Sequence, residues 1–499
     1  MSKRLVLAAG CALLTVHSTV RANNVQVSNI ALADSDTGYT HITCDVGWDN
    51  SWRVSWTETT PSITVTNWDA AWVFVKFRVA TNNAPWQHAS LSTNKASHSA
   101  PADATISVGL STNSVGTHFG CGVFLYRSAE GSGSWSSSLK LRWEHALDGV
   151  SKTDKVDVSV QAIEMVYVPQ GPFYVGDGTM NNIQGQFCSA NNHTTPLQIT
   201  SEGALTLGGG GAGSLGNNNA AGMATADDFT DGVSQTLPSA YPKGYNGFYC
   251  MKYEISQGQY TAFLNILTSG QATTRYPGKN GNVRHTISGS YPNFTNTAPD
   301  RACNYLSWPD VAAYADWAGL RPMTELEFEK ACRGPLTPVV DEFAWGNTTL
   351  TPTTAIVNDG TGLDTATGGN CNYQSCVPDG PYRVGIYATA ASDRTASGAS
   401  YWGIMEMSGN LFERSVTVGN VNGRAFTGAV GDGKLNATGD ADAANWPGTS
   451  ANGAGFCGGR WSSITLGLRV SGRSSAAAVN SSRADTYGGR VVRSAPSGE

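Results

Sequence analysis

The chain has 499 residues, more than one ordinary domain holds, with 40% hydrophobic side chains, only 14% charged ones and a formal net charge of -6. That balance gives no basic field for phosphates and excludes nucleic acid as the expected partner. Its low charge implies a neutral polar surface built from Ser, Thr, Asn and Gly.

The first predicted element is a leader. Lys3 and Arg4 precede an apolar run from Leu5 to Val16, and Val20-Arg21-Ala22 offers a small-residue cleavage site. Residues 1–22 therefore read as a secretory signal, which makes the mature chain secreted or displayed at the cell surface. The run is shorter than the roughly 20 residues that cross a bilayer, and no later segment is apolar enough, so no membrane span is expected. Export permits disulfides. Cys11 lies in the leader and nine of the ten cysteines remain, so at least one is free or pairs between chains. Cys44 with Cys121, and Cys371 with Cys376, are the candidate bridges; neither pair has a second Cys pair or a His at zinc spacing.

Residues 23–161 alternate as strands do. In "WDAAWVFVKFRVAT", Val73, Val75, Phe77 and Val79 share one face and Trp72, Phe74, Lys76 and Arg78 the other. Three further β-branched and aromatic runs, separated by Gly, Ser, Asn and Pro clusters, predict an all-β sandwich without a catalytic constellation. From residue 162 a second domain runs to 499, opening on "MVYVPQGPFYVGDG". Its Gly- and Asn-rich stretch at 201–247 lacks the strand, helix and Lys of a phosphate loop and reads as a surface insertion. Three helices follow, each opened by a capping box: Ser256 with Gln259, Ser307 with Asp310, and Thr324 with Glu327. Beyond about 335, short strands alternate with long polar loops. The expected fold class is α+β, an all-β sandwich followed by a domain of limited regular structure.

The order of segments in that second domain is diagnostic. "FYCMKYEISQGQYTAFLN", "CNYLSWPDVAAYADWAGLRPMTELEFEKACRG", "FAWGN", "GIMEMSGNLFERS", and "GGRW" followed by "LGLRVSGR" and "YGGRVVR" resemble the formylglycine-generating enzyme, or sulfatase-modifying-factor, family over residues 164–495. The resemblance implies a variant of the C-type-lectin fold. It also implies a structural calcium ion at the "SGNLFE" turn, held by the carbonyls of Ser408, Gly409 and Leu411 and the side chain of Glu413. Such oxygen ligands suit a hard cation.

The same resemblance implies two copper-binding cysteines just after the "GGS-aromatic" segment, which activate oxygen to oxidise a sulfatase cysteine. Here that stretch is "GGRWSSITLGLR", with Ser462, Ser463 and Thr465 where thiols are needed. Hydroxyl oxygen is a poor ligand for copper(I), and Cys457 precedes the Gly-Gly pair and reads as buried or bridged. No histidine follows His285, so imidazole ligands and Ser-His-Asp chemistry are missing from the last 214 residues, and His193 and His285 read as solvated.

Three functions compete. The segment 458–493 sets a frame of Gly, Leu, Val and Arg against runs of Ser, Ala, Asn and Asp, similar to the displayed faces of variable proteins in this fold. Arg460, Trp461, Ser462, Ser463, Thr465, Ser474, Asn480, Asp485 and Tyr487 are the candidate ligand-binding residues, and an extracellular protein or a glycan the expected partner. Arg469, Arg473, Arg490 and Arg493 fall at framework positions. The alternatives are a metal-dependent oxidase of the formylglycine-generating type and a structural subunit that self-assembles into a fibre, sheath or surface layer.

Overall fold

A computed structural model describes residues 25–80, 84–113, 115–179, 185–217, 227–389 and 391–496. The expected leader lies outside them. The N-terminal region is built from β1 (Gln26–Ala33), β2 (Thr40–Thr59), β3 (Ser62–Val79), β4 (Gln87–His88), β5 (Ala104–Thr112), β6 (His118–Arg127), β7 (Gly131–Trp143) and β8 (Val156–Val168). The long β2 pairs with β1 and β7, then continues into a hairpin with β3, which in turn pairs with β6 and β8; every ladder is antiparallel. Val73, Val75 and Phe77 pack with Ile42, Val46, Leu141 and Trp143 between the two layers, as a sandwich requires.

The opposite face of β3 is buried too. Trp72 and Phe74 join Tyr249, Tyr260, Phe263 and Trp317 in a second core that belongs to the following domain. Lys76 lies in this row and is only 1% exposed, with Nζ donating to the carbonyls of Trp317 at 2.6 Å and Gly433 at 2.7 Å. The period-2 pattern located both faces correctly but left open that neither meets water.

The expected boundary at 161/162 falls inside β8. Val156–Val166 pair with β3, and the last four residues, Met165–Val168, pair on the other edge with Phe248–Met251. From there the sheet continues through Val491–Ser494, Arg321–Thr324, Glu413–Val416 and Ala454–Cys457, so one 13-stranded sheet spans both regions. The longer helices of the second are α1 (Gln257–Ile266), α2 (Ser269–Arg275), α3 (Trp308–Trp317) and α4 (Glu325–Arg333), with single helical turns at Arg394–Ser397 and Val421–Arg424. All three expected capping boxes form, and a fourth, Thr268 with Gln271, opens α2. α4 is buried along its whole length, because Arg321 pairs Glu327 while Arg333 pairs Glu329 and Glu342. These carboxylates and guanidinium groups are matched inside the fold, and Lys330 donates instead to the carbonyls of Pro169, Gly244 and Tyr245.

Two expectations are corrected here. The Gly-rich stretch is not a surface insertion. Leu205–Leu207, Leu215–Asn217 and Gln235–Leu237 form a four-stranded sheet with Phe187–Ser189. Leu207, Leu215, Phe229 and Leu237 are buried beside Trp308 and Leu326; residues 218–226 lie outside the described set. The disulfides are also absent: all nine described cysteines are free and buried. Cys44 faces the sandwich core, whereas Cys121 faces the second core with Sγ 3.3 Å from His88 Nε2. Strand alternation thus directs them to different layers. Cys371 and Cys376 share one apolar cluster as two separate thiols.

Candidate functional site

The "SGNLFE" turn sits where Glu413–Val416 leaves the loop and runs parallel to Arg321–Thr324. Gly409 adopts φ +92°, and a Cβ there would stand 2.4 Å from the Asn372 carbonyl, so only glycine fits. Glu254 holds the turn from beneath: its carboxylate accepts from Leu411 N at 2.9 Å and from Asn410 Nδ2. Asn410 Oδ1 accepts from Tyr382 N and Asn372 Nδ2 in turn. Glu413 is wholly buried, and its Oε1 takes a 2.8 Å hydrogen bond from Arg490 Nε, whose remaining N–H groups donate to the carbonyls of Met251 and Met405. Burial pushes the Glu413 carboxyl upward and the Arg490 charge opposes that shift.

The expected calcium ligands differ in their hydrogen bonding. Glu413 Oε2 is buried and has no hydrogen-bond partner. Among the described residues the carbonyls of Gly409 and Leu411 also accept no hydrogen bond, whereas that of Ser408 accepts from the Cys371 thiol at 2.9 Å. A buried carboxylate oxygen without a partner and carbonyls without donors are oxygens of the type that a hard cation takes.

The candidate binding residues follow in the loop after Ala454–Cys457. Gly459 adopts φ +77°, and a Cβ there would stand 2.6 Å from the Gly467 carbonyl, so glycine allows the loop to close on the short 3-10 turn at Thr465–Leu468. Trp461 N donates to the Asn410 carbonyl at 2.7 Å, so this loop is hung directly on the "SGNLFE" turn. Arg460 N donates to Ser463 Oγ, Trp461 Nε1 to the carbonyl of Asp485, and Asn480 Nδ2 to Tyr487 OH. Those residues are half-buried, as are Ser462 and Ser474, while Thr465 is exposed. No hydrogen bond among the described residues joins Thr465 or Ser474 to the rest of the set.

The frame beneath is charged and dry. Arg473 pairs Asp227 and Glu325, Arg490 pairs Glu413, and Arg493 donates to the carbonyls of Gly319 and Leu110. Ser471 and Thr486 belong to this frame and not to the surface, at 1% and 6% exposure. Sequence reasoning missed the residues that support the aromatic side of the site. Arg414 lies 4.0 Å over the Phe456 ring and 4.9 Å over Tyr487, and donates to the carbonyls of Asn480 and Ser482. Burial draws its guanidinium down to about 9. Half-buried Phe412 packs against Phe456 with centroids 5.2 Å apart and the rings tilted by 43°, under Arg460 at 5.1 Å. The result is a small, half-buried aromatic shelf edged by hydroxyls, a cation and Asp485.

The nearby thiol and the two histidines lie outside this loop. Cys457 is buried, its Sγ 3.1 Å from Ser415 Oγ, with its thiol pushed up by desolvation. His285 is fully buried with Nδ1 bonded to Asn304 Oδ1, which corrects the expectation of a solvated ring, and His193 contacts Asp231. A different carboxylate group, Asp316, Asp432 and Asp442, brings its oxygens within 4.8 Å at the back of the domain. Backbone N–H groups of Asp432 and Asp442 already bind Asp316.

Fold and site together define a loop-rich α+β domain that displays a polar segment on a buried ionic frame. Residues 209–495 match the sulfatase-modifying factor enzyme 1-like domain, more than half of the chain, and the protein belongs to that family. It is 47% identical over 49 residues to a formylglycine-generating enzyme of Bos taurus, covering 10% of this chain and 13% of that protein. To the formylglycine-generating enzyme of Thermomonospora curvata it is 46% identical over 54 residues, 11% of this chain and 17% of that one. The matched stretches thus span under a fifth of these curated relatives. A solved structure titled "pH-induced modulation of Streptococcus parasanguinis adhesion by Fap1 fimbriae" aligns at 15% identity over 35% of this chain and 74% of its own, with a TM-score of 0.11, which carries no argument. Among the described residues no helix is long and apolar enough to cross a membrane.

Proposed function

We propose that the chain is an exported, non-catalytic binding protein that uses its family domain as a calcium-stabilised, lectin-like scaffold for an extracellular protein or glycan. The observation that carries this reading is the segment 458–490. Its small polar and aromatic side chains are half-buried or exposed over a buried guanidinium frame, and it holds neither thiol nor imidazole. Half-buried aromatics with adaptable hydroxyls give contact area at low entropic cost, which suits recognition. Copper chemistry of the relatives' kind needs soft thiolates in this loop, and Ser462, Ser463 and Thr465 supply hydroxyls. Ser408, Gly409, Leu411 and Glu413 would hold calcium, which cross-links the turn on which Trp461 hangs.

The test is a direct assay of the competing chemistry. The purified chain is loaded with copper(I) under oxygen and given a cysteine-containing peptide, and aldehyde formation is followed by mass spectrometry. No aldehyde is expected; turnover dependent on copper would replace the binding reading with an oxidase.

A further inference from the structure

The Ser408 carbonyl is one of four atoms assigned to calcium, and it is the one that already has a donor. Cys371 Sγ stands 2.9 Å from it. Five residues on, Cys376 places its Sγ 3.1 Å from the carbonyl of Cys371 and receives the N–H groups of Thr353 and Tyr373. Both thiols are at most 4% exposed and sit in one apolar cluster under the turn. The space is tight: a Cβ on Gly409 would stand 2.5 Å from this sulfur.

We propose that Cys371 and Cys376 form a thiol–disulfide switch on the calcium site, in which oxidation withdraws the thiol donor from the Ser408 carbonyl and leaves that oxygen to the ion. The inference rests on the calcium reading above. Reduced, the S–H proton and the cation compete for one carbonyl. Oxidised, the Cys371 sulfur turns to its partner and carries no proton. The exchange balances with a low-molecular-weight disulfide as oxidant: one protein thiolate attacks it, the second displaces the resulting mixed disulfide, and two free thiols leave with the two protons and two electrons. Local opening of the loop, or oxidation before it closes, gives the oxidant access. An exported chain meets such oxidants only outside the reducing compartment, so calcium uptake would be coupled to arrival.

Calorimetric titration of the full mature chain with calcium, under thiol reductant and again after treatment with glutathione disulfide, tests this. The oxidised form, verified by peptide mapping of the 371–376 bridge, is expected to bind about fivefold more tightly, the scale of one neutral hydrogen bond. Cys376→Ser should keep the reduced-state affinity under both conditions, and Cys371→Ala, which lacks the donor, should bind like the oxidised form under both. Equal affinity of the two wild-type forms, or no bridge between these residues after oxidation, overturns the switch. Failure of every form to bind calcium overturns instead the calcium reading beneath it.

Discussion

Trp461 and Tyr487 are the residues whose surroundings separate display from stability. Each is half-buried, and each side chain makes one polar bond to the same loop system. Trp461→Ala and Tyr487→Ala are expected to cost about 1 kcal/mol of stability or less and to abolish capture of the cognate ligand, a combination read by paired melting and surface-binding measurements. Loss of both folding and binding would make these aromatics part of the core. Glu413 calls for a gentler probe, since truncation would strand Arg490 without its partner at a cost of roughly 3–5 kcal/mol whatever the metal does. Glu413→Gln keeps an oxygen for Arg490 and removes the charge. Wild type should melt higher in calcium than in chelator, and the variant at one temperature in both; a wild type indifferent to chelator would remove calcium from the scaffold. The sequence pointed to Glu413 through its motif. It could not reveal Arg490, 77 positions on, because that partner is fixed by the pairing of distant strands.

At the scale of elements, the legible features were those decided within a few residues. Capping boxes couple Ncap to N3, so Ser256, Ser307 and Thr324 were readable in isolation. Thr324→Ala is expected to lower stability by about 1–2 kcal/mol, because the lost hydroxyl leaves Glu327 N without an acceptor inside the fold, and chemical denaturation would measure it. The Gly-rich stretch was misread for the opposite reason. Its composition speaks for loops, yet four scattered apolar side chains suffice to seat it against α3 and α4 once tertiary contacts exist. Cys44 and Cys121 failed similarly: counting cysteines ignores which face of a strand each occupies. Arg414 had no local signal at all, since its partners are rings and carbonyls from 456 to 487.

For the whole molecule, the decisive contact is Lys76 crossing from β3 into the family domain. Burial draws its amine from 10.5 to about 7, with nearby Cys121, Asp316 and Asp432 opposing the shift and Lys434 adding to it. Between those values the unfolded chain holds a proton that the folded chain lacks, so stability should rise with pH from about 7 toward 10.5, by at most about 1.4 kcal/mol per unit. Denaturation of wild type and Lys76→Met across that range checks the sign: the variant should lose the rise attributable to this group. Equal slopes would mean that Lys76 is hydrated or charged in the folded state.

The strand β8 has one more consequence. Because Val156–Val166 pair with β3 and Met165–Val168 with Phe248–Met251, the two regions are joined through one shared strand. A protein tethered by its N-terminal region would therefore present the aromatic shelf at a constant bearing, like a tool brazed to its handle. Recognition would then depend on how neighbouring molecules are oriented at their anchorage as much as on the chemistry of Trp461 and Tyr487.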